Sequence, residues 1–486
     1  MTHPDPIEIL TSGITRPHGG AGFDAITTQR AIGALVGSAV GDALGAPFEF
    51  GAAGAYSARF PEPVIGGIGE MIGGGSFHWR PGEFTDDTQM AVALALSITE
   101  HDGLDADDVW ARFVAWRRTA GDVGNLTRRA LHSSDWRGAA LDAHDALGGR
   151  SAANGALMRV TPIALAWAAA DEATLMTVAR AQAALTHHDP DAGWGAAIGA
   201  ALIRRAILGE DPIAALPDVL ALVDQPHRDE FAALCAPHWC PGDDTRSNGS
   251  VYTCLAEAVW AVRTTTTFAD AVRAAIDLGG DTDTVACVTG AIAGARASIQ
   301  AIPSRWTTYV HGRLSTPEGE ARFDNDALAQ LARRLLGKGN AVSQPVEHAA
   351  GPVPVAPGLW AANLTGAARA PERVAVVSLC LTHGLFADRP VRREVHLIDR
   401  SGPANADPLA AVRDAVDSID ALLAEGHEVV VHCHGGRSRT GLVLKAWAMR
   451  NDGVDERGAH AWLAERWPLY HDQQRSFVEL LRYGWT

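Results

Sequence analysis

The sequence predicts a multidomain protein in which an all-α domain is followed by a small α/β domain. From about Ile26 to Leu336, apolar residues recur at helical spacing, and no convincing run of alternating strands interrupts them. Four prolines then fall within residues 337–358, and after them β-branched apolar runs alternate with helical segments. We therefore predict an all-α domain at 26–336, a linker at 337–358 and an α/β domain at 359–486.

The helical segments of the first domain are rich in alanine. Because a small side chain lets two helix axes approach closely, core packing explains most of this alanine content. The segments that we expect to be helical include Thr88–Thr99, Pro190–Leu208, Ser250–Val262 and Thr282–Ala297.

The prolines of residues 337–358 forbid a continuous helix and favour an extended chain, which marks a domain boundary. After this boundary, the periodicity changes to that of strands alternating with helices. We expect strands at Val374–Leu381 and Glu428–His432, and helices at Pro408–Ala424 and Gly441–Met449.

Charge and composition restrict the partners. The 486 residues include 41 Lys and Arg against 57 Asp and Glu, which gives a net charge of −16. Because this charge repels polyanions, we expect no stable nucleic-acid binding and no membrane binding, although a local anion pocket is compatible with it.

The first ten residues lack the basic start and apolar run of a signal peptide, and six scattered cysteines fit a reducing compartment. We expect the protein to be cytoplasmic.

A buried strand, a glycine-containing loop and the start of a helix lie in sequence at Val429–Gly441. Such a loop directs backbone N–H groups inward at a helix N-terminus, where they bind a phosphoryl group. The loop residues expected to bind it are His434, Gly435, Gly436, Arg437 and Ser438. The helix N-terminus and Arg439 favour the thiolate form of Cys433, which is then a nucleophile. Arg439 can donate two hydrogen bonds to phosphate oxygens, and Thr440 can donate to the sulfur.

This run resembles the H-C-x5-R-[ST] signature of the cysteine-dependent phosphatases of the tyrosine and dual-specificity types. The resemblance covers roughly residues 359–486 and implies hydrolysis of a phosphorylated substrate through a Cys433 phosphocysteine. It also implies an upstream loop aspartate that protonates the leaving oxygen, for which Asp399 is the first candidate and Asp407 the alternative. Gln474 looks similar to the water-positioning glutamine of the family, and an exposed helical glutamine explains it equally well.

Two oxygen-rich clusters, Thr85 to Thr88 and Gly279 to Thr284, each precede an apolar helix. If only one cluster were present, helix capping would explain it. Capping uses one side chain per helix, however, and each cluster contains several carboxylates. Their mutual repulsion near an apolar core requires a compensating cation. Asp281 and Asp283 would project about 200° apart in a regular helix, so Asp281 must lie at the loop–helix junction if both face one site. Such oxygen ligands suit a pair of Mg²⁺ or Mn²⁺ ions.

Together with other motifs in the same order, these clusters resemble the ADP-ribosylglycohydrolases over nearly the whole first domain. The motifs are Gly33 to Gly45 with Glu49, Thr85 to Thr88, Asp122 to Asn125, Ala153 to Arg159, Thr186-His187 and Leu278 to Thr284. One departure is Ala295 to Gln300, which replaces a glycine-rich continuation that many members carry.

The resemblance implies an all-α hydrolase that cleaves the glycosidic bond of an ADP-ribosylated protein or small molecule. It implies two divalent cations, Mg²⁺ or Mn²⁺, held by Thr85, Asp86, Asp87, Asp281, Asp283 and Thr284. These ions would bind the hydroxyls of the distal ribose of ADP-ribose and help to activate water. Asp87 or Glu49 would act as the acid/base in cleavage of the glycosidic bond. The residues that it assigns to the substrate are Asp122, Asn125, Asn154, Gly155, Met158 and His187.

The leading hypothesis is therefore a bifunctional hydrolase with two independent sites. The alternative is that one domain is a non-catalytic module that binds ADP-ribose or a phosphorylated group and targets the other domain. The leaving groups would contact loops whose sequences do not indicate a particular ligand. The sequence therefore does not identify the cleaved linkage or the phosphatase substrate.

Overall fold

The computed structural model describes residues 4–341, 348–400, 403–472 and 474–485, and it confirms a helical domain followed by a small α/β domain. The helices of the first domain are α1 (Pro6–Ser12), α2 (Ala25–Gly45), α3 (Ala55–Arg59), α4 (Asp86–His101), α5 (Ala106–Arg117), α6 (Asn125–Ala130), α7 (Trp136–Ala146), α8 (Thr161–Ala166), α9 (Glu172–Ala184), α10 (Pro190–Ile207), α11 (Pro212–Ala221), α12 (His227–Leu234), α13 (Val251–Thr264), α14 (Phe268–Ile276), α15 (Thr282–Ala297), α16 (Ser304–Thr307) and α17 (Asn325–Leu335). Its strands are β1 (Ile14–Thr15), β2 (Gly103–Leu104), β3 (His311–Thr316) and β4 (Gly319–Asp324).

Helices α2 and α15 pack against each other in the core of this domain, and nearly all of their residues are buried. Glycine permits the close approach, since a Cβ on Gly37 or Gly41 would overlap the backbone of Gly290 or Ala286. The stretch Ala25–Phe48 is long and apolar enough to cross a membrane, yet 89% of its most apolar window is buried inside the protein. This burial identifies α2 as a core helix.

The first domain contains features that the sequence pattern did not predict, including the short antiparallel pair of β1 and β2. Helix α1 lies before residue 26, and its Leu10 is buried in the same hydrophobic core as α2. Strands β3 and β4 form an antiparallel hairpin in which His311 pairs with Asp324. Because much of this two-stranded hairpin is exposed, its sequence lacks the strict apolar alternation of a half-buried strand.

The second domain is built on a five-stranded sheet with the order β5-β6-β9-β7-β8. Its elements are β5 (Val353–Ala356), β6 (Leu359–Asn363), α18 (Leu364–Ala368), β7 (Ala375–Ser378), β8 (Arg392–Glu394), α19 (Pro408–Ala424), β9 (Val429–Cys433), α20 (Ser438–Asn451), α21 (Glu456–Arg466) and α22 (Arg475–Glu479). Only the edge strand β5 is antiparallel to its neighbour. This topology places the carboxyl end of the central strand β9 at the start of α20.

The predicted linker at 337–358 needs a correction at its carboxyl end. Val353–Ala356 is a strand of the second domain, and its Pro354 pairs with Trp360 of β6. A proline cannot donate to a strand ladder, so it is tolerated on an edge strand with one free side. The proline-rich sequence therefore includes both the connection between the domains and the edge strand of the sheet. Within the connection, residues 342–347 lie outside the described part of the chain.

Polar contacts fix the second domain against the first. The backbone N–H of Ser304 donates to the carboxylate oxygens of Asp414 at 3.1 and 3.2 Å. The buried side chain of Arg393 donates to the carbonyl oxygen of Ile65 at 2.8 Å. The linker is thus only one of several connections between the two domains.

Helix α2 connects the two candidate sites. Its residue Gln29 lines a cavity that is shared with the second domain, whereas Asp42, thirteen residues later, contacts the start of α4. At 1.5 Å per residue, this separation is about 20 Å. The two sites therefore lie at opposite ends of one helix and do not share a pocket.

Candidate active sites

A buried carboxylate in the last turn of α2 fixes the start of α4. Asp42 accepts from the backbone N–H of Thr85 at 2.9 Å, and from the N–H and hydroxyl of Thr88 at 3.1 and 2.6 Å. Burial raises the pKa of Asp42 to about 6. Asp42 belongs to the Gly33 to Gly45 motif, but no role was predicted for it, although a carboxylate within an apolar helix is a signal for a positioning role.

The start of α15 has the geometry that the carboxylate spacing requires. The helix begins at Thr282, so Asp281 lies at the loop–helix junction, after Gly279 and Gly280 with φ angles of +77° and +71°. Glycine adopts these left-handed angles without steric cost. The backbone turn thereby brings Asp281 and Asp283 to one site.

Amide side chains hold the Asp281 loop in place. The carboxylate of Asp281 accepts from Asn154 Nδ2 at 2.9 Å, and the backbone N–H of Asp281 donates to Asn248 Oδ1 at 3.0 Å. Asn248 Nδ2 in turn donates to the Gly279 carbonyl at 2.9 Å and to Glu257 Oε2 at 3.0 Å. No role was predicted for Asn248, which lies in the polar run Asp243 to Ser250, or for Glu257 of α13.

The two predicted acidic clusters and Glu49 meet in the interior. Carboxylate oxygens of Glu49, Asp281 and Asp283 lie within 4.8 Å of one another. Asp87 Oδ2 accepts from the hydroxyls of Thr85 and Thr284, each at 3.4 Å. The predicted ligands Thr85, Asp86, Asp87, Asp283 and Thr284 are all buried, while Asp281 is half-buried.

The electrostatics of this carboxylate cluster fit a hard divalent cation. Burial, followed by repulsion from neighbouring carboxylates, raises the pKa of Asp87 and Asp283 well above its usual range and that of Glu49 to about 8. Two oxygens, Asp87 Oδ1 and Glu49 Oε2, are buried without a hydrogen-bond partner among the described residues. An unpaired buried carboxylate oxygen is costly, and a bound cation removes that cost.

The predicted pocket histidine is ordered by a buried arginine. Arg159 Nη2 donates to the Thr186 hydroxyl at 2.8 Å, and this hydroxyl lies 2.8 Å from His187 Nδ1. Burial, and then the charge of Arg159, lower the pKa of His187 well below its usual range, so the ring is neutral. The ring edge of His187 also faces Gly155, where an added Cβ would lie 3.1 Å from its Cε1 atom.

The remaining predicted substrate residues differ in position. Asp122 is half-buried, and the nearby Asp281 contributes to raising its pKa after the larger effect of burial. Met158 is buried, and its carbonyl accepts from Cys287. Asn125 is exposed at the start of α6, where it accepts from Arg128 at 3.4 Å. Asp122 therefore lies near the carboxylate cluster, whereas the roles of Met158 and Asn125 stay predictions.

The phosphate-binding loop lies between β9 and α20, as the sequence predicts. Cys433 ends the strand, with 1% of its surface exposed, and Gly436 has a φ angle of +69°. Arg439 Nη1 donates to the carbonyl oxygens of Leu379 and Leu397, each at 3.1 Å, which fixes the guanidinium beside the loop. The hydroxyl of Thr440 is buried without a hydrogen-bond partner among the described residues.

Two predicted residues from outside the loop reach it. Asp399 Oδ2 accepts from the Ser438 hydroxyl at 2.7 Å, and Asp399 Oδ1 accepts from Gln474 Nε2 at 3.1 Å. The alternative acid, Asp407, instead caps α19 by accepting from the Ala410 N–H at 3.0 Å. Asp399 is therefore the better placed of the two candidates.

Comparison with protein families agrees with both halves of this arrangement. Residues 24–345 match the model of the ADP-ribosylglycohydrolase family. The chain belongs to that family. Residues 390–453 of this ADP-ribosylglycohydrolase family member match a second model, described as a DSP-PTPase phosphatase of polymorphic toxin systems.

Individual relatives cover the first domain. ADP-ribosyl-[dinitrogen reductase] glycohydrolase of Rhodospirillum rubrum is 32% identical over 63% of this chain and 97% of its own length. ADP-ribosylarginine hydrolase Tri1 of Serratia proteamaculans is 32% identical over 57% of this chain and 74% of its own. A solved ADP-ribosylglycohydrolase-related protein complex is 32% identical, with a TM-score of 0.51 over 64% of this chain and 98% of that chain. Both domains thus belong to hydrolase families, as the motifs predict.

Proposed function

We propose that this chain is a bifunctional hydrolase in which two separate sites act by different chemistry. The first site cleaves the glycosidic bond of ADP-ribosylated substrates and depends on Mg²⁺ or Mn²⁺. The second hydrolyses phosphomonoesters through Cys433. The observation that carries the metal dependence is the buried carboxylate cluster with its unpartnered oxygens on Asp87 and Glu49.

The residues that would hold the cations come from both acidic clusters. They are Thr85, Asp86, Asp87, Asp281, Asp283 and Thr284, with Glu49 at the edge of the set. A bound divalent cation supplies Lewis-acid polarisation of ribose hydroxyls and of water. Glu49 or Asp87 transfers the proton between water and the leaving group. The Asn154–Gly155 turn binds the diphosphate, and neutral His187 lines the pocket.

In the phosphatase site, the Cys433 sulfur attacks phosphorus while Asp399 donates its proton to the leaving oxygen. An S–P bond forms as the P–O bond breaks, and Arg439 and the loop N–H groups bind the phosphoryl oxygens. Asp399, now a carboxylate, then accepts a proton from a water held by Gln474. The water oxygen bonds to phosphorus, the S–P bond breaks, and phosphate leaves.

The names of two relatives indicate which ADP-ribosylated substrate to test first. The R. rubrum relative is named for ADP-ribosylated dinitrogen reductase and the S. proteamaculans relative for ADP-ribosylarginine. These names make an arginine-linked ADP-ribosyl protein the first substrate to test, ahead of serine-linked or nucleotide-linked ADP-ribose. A cytoplasmic location, where such proteins and reduced thiols occur together, is part of the proposal.

Chelation and a cysteine substitution test the two chemistries separately. EDTA is expected to abolish release of ADP-ribose from ADP-ribosylarginine, added Mg²⁺ or Mn²⁺ to restore it, and hydrolysis of 4-nitrophenyl phosphate to continue throughout. Cys433→Ser is expected to do the reverse, with Cys240→Ser, at an exposed cysteine, as the matched control. Loss of both activities under either treatment would contradict independent sites. Metal-dependent ADP-ribose binding without any turnover would instead support a binding module.

A further inference from the structure

Two residues of the phosphate-binding segment, His434 and Arg439, line a cavity of about 760 Å³ between the two domains. The phosphatase contributes Asp399, His434 and Arg439 to its lining. The opposite wall comes from the first domain, at the start of α2 and the end of α17, and includes Gln29 and Arg333. The first domain therefore forms one wall of the cavity beside the phosphate-binding loop.

The charges in this cavity differ in sign from those of the whole chain. Among the described residues that line it, the cations are Arg333, Lys338, Arg400 and Arg439, and the carboxylates are Asp24 and Asp399. Asp24 is engaged as the N-cap of α2, where it accepts from the Thr27 N–H at 2.7 Å. The cavity is thus a cationic region in a protein with a net charge of −16.

Two cations of the opposite wall, Arg333 of α17 and Lys338 at the start of the linker, are held in defined positions. Arg333 donates through Nε and Nη2 to the Gly339 carbonyl at 3.2 and 3.1 Å. Lys338 Nζ donates to the Phe23 carbonyl at 2.6 Å. A cation that is already ordered loses less conformational entropy when it binds an anion, which favours a specific contact.

We propose that the phosphatase site takes a small organic phosphomonoester that carries a second anionic group. The phosphoryl group would bind in the Cys433 loop, and the second anion would bind Arg333 and Lys338. This inference rests on the phosphatase function proposed above. The cavity volume falls in the range of roughly 300–1,000 Å³ that is usual for small-molecule sites.

Matched pairs of substrates test this class with the full-length chain. Adenosine 3′,5′-bisphosphate is compared with adenosine 5′-monophosphate, and fructose 1,6-bisphosphate with fructose 6-phosphate. At least one bisphosphate is expected to exceed its partner by about ten- to a hundredfold in kcat/KM, as charged hydrogen bonds allow. Arg333→Gln is expected to bring that ratio close to one. Arg322→Gln, at an exposed arginine of β4, is the matched control that keeps the ratio.

The outcomes separate this inference from the phosphatase function itself. Absence of turnover with 4-nitrophenyl phosphate would overturn the phosphatase function. Turnover of that compound without a preference inside either pair would overturn the substrate class alone. A phosphotyrosine peptide that outperforms both bisphosphates would do the same. A preference that survives Arg333→Gln would remove Arg333 from substrate binding, and one that survives Arg333→Gln together with Lys338→Gln would overturn the proposed anion site.

A second inference comes from a separate hydrogen-bond network. The buried side chain of Gln300, from the first domain, donates to the His396 carbonyl at 2.9 Å and to Asn405 Oδ1 at 2.7 Å. Gln300 Oε1 also accepts from the Asp407 N–H at 2.8 Å. Asn405 in turn bonds the N–H and carbonyl of Ile398 at 2.8 and 3.0 Å. One amide of the first domain thus holds both sides of the phosphatase loop that carries the candidate acid.

We infer that Gln300 is a positioning residue for Asp399. It lies in the Ala295 to Gln300 segment, where the sequence departs from the glycine-rich pattern of the resemblance. Because the amide contacts the loop and not the phosphate-binding residues, its loss would disturb proton transfer to the leaving oxygen more than phosphoryl binding.

Leaving-group dependence tests this role. Gln300→Leu is expected to lower kcat/KM, which reports ester cleavage and not hydrolysis of the shared phosphocysteine, by about tenfold with phenyl phosphate, whose leaving group needs a proton. With 4-nitrophenyl phosphate, the loss in kcat/KM is expected to be less than about threefold. Asn405→Leu is expected to reproduce the pattern. ADP-ribose release and the melting temperature report on folding in the same samples. Equal losses with both esters, or no loss with either, would overturn the positioning role.

Discussion

The two candidate active sites of this chain are assembled in different ways. The phosphate-binding loop is one continuous run, from Cys433 to Thr440, on a single strand–loop–helix unit. The carboxylate cluster instead combines the end of α2 with the starts of α4 and α15, which are far apart in the chain. A site formed by one continuous segment can be predicted from the local sequence. A site formed by distant segments depends on which helices pack together in the folded chain.

Their electrostatics differ in the same sense. In the carboxylate cluster, burial and like charges raise the pKa of Asp86, Asp87 and Asp283. The phosphatase loop has a helix N-terminus and Arg439, which attract anions without any added ion. Concentrated negative charge therefore favours a cation at the first site, whereas the second site already contains the positive charge that favours an anion.

The largest expected effect separates the two sites by one substitution. Asp283→Asn removes a charge from the centre of the carboxylate cluster and is expected to lower ADP-ribosylhydrolase kcat/KM by about a thousandfold or more. Hydrolysis of 4-nitrophenyl phosphate by the same sample is expected to stay within about twofold of wild type. Asp218→Asn, at an exposed aspartate of α11, is the matched control. A parallel loss of phosphatase activity would contradict the separation.

A smaller effect is expected at the residue that fixes the start of α4. Asp42→Asn weakens the bonds to Thr85 and Thr88 without removing a predicted ligand. Residues that orient ligands typically change metal affinity or activity by about 10–100-fold, and a loss of this size is expected here. Titration with Mn²⁺ should show a raised metal requirement. Wild-type activity at limiting Mn²⁺ would show that α4 is held without Asp42.

The third prediction concerns Asn248, which supports the Asp281 loop. Asn248→Ala leaves Glu257 and the Gly279 carbonyl without a donor, so the free energy of unfolding is expected to fall by about 1–3 kcal/mol. Hydrolase activity is expected to fall by about tenfold because Asp281 loses its backbone anchor. Urea denaturation of this variant, with Asn340→Ala at an exposed asparagine as control, measures the first effect. An unchanged unfolding midpoint would mean that the loop needs no such support.

The smallest effect is a pH dependence of stability to which the carboxylate cluster contributes, together with Glu394 of the second domain, whose pKa burial raises to about 7. Burial raises the pKa of Glu257 to about 7 and that of Glu49 to about 8, so the folded state retains protons that the unfolded state has released. In EDTA, the melting temperature should therefore fall as pH rises from about 6.5 to about 8.5. Below this window, His396, whose pKa burial lowers to about 4, has the opposite effect.

Divalent cations should reverse this trend. Added Mg²⁺ or Mn²⁺ is expected to raise the melting temperature more at pH 8.5 than at pH 6.5, since protons and cations compete for the same oxygens. Differential scanning calorimetry at both pH values measures the difference. A cation-induced shift that is equal at the two pH values would argue against binding at the raised-pKa carboxylates.

Much of the secondary structure could be predicted because it follows local periodicity. Helices α15 and α19 occupy the predicted bounds, Thr282–Ala297 and Pro408–Ala424. The β3–β4 hairpin could not, since an exposed two-stranded ribbon needs no apolar alternation. Edge strand β5 was not predicted either. Its proline indicates a domain boundary when the position of the neighbouring strand is unknown.

The candidate sites show the same limit. Cys433, Arg439, Asp281 and Asp283 could be selected because the chemistry of each depends on close neighbours in the sequence. The roles of Asp42, Asn248 and Gln300 could not be predicted, because the site residue or loop that each one holds lies 33 or more residues away in the chain. No periodicity or local spacing records such a contact.

The sequence by itself determined the two domains, the thiol loop and the acidic runs, because strand–loop–helix geometry and like-charge repulsion act over a few residues. Tertiary structure decided which buried amides and carboxylates hold those runs together, and it placed the first domain against the phosphatase loop. The physical reason is that these contacts depend on how closely α2 and α15 pack and on which surface of that pair the second domain covers. Both are properties of the folded chain as a whole.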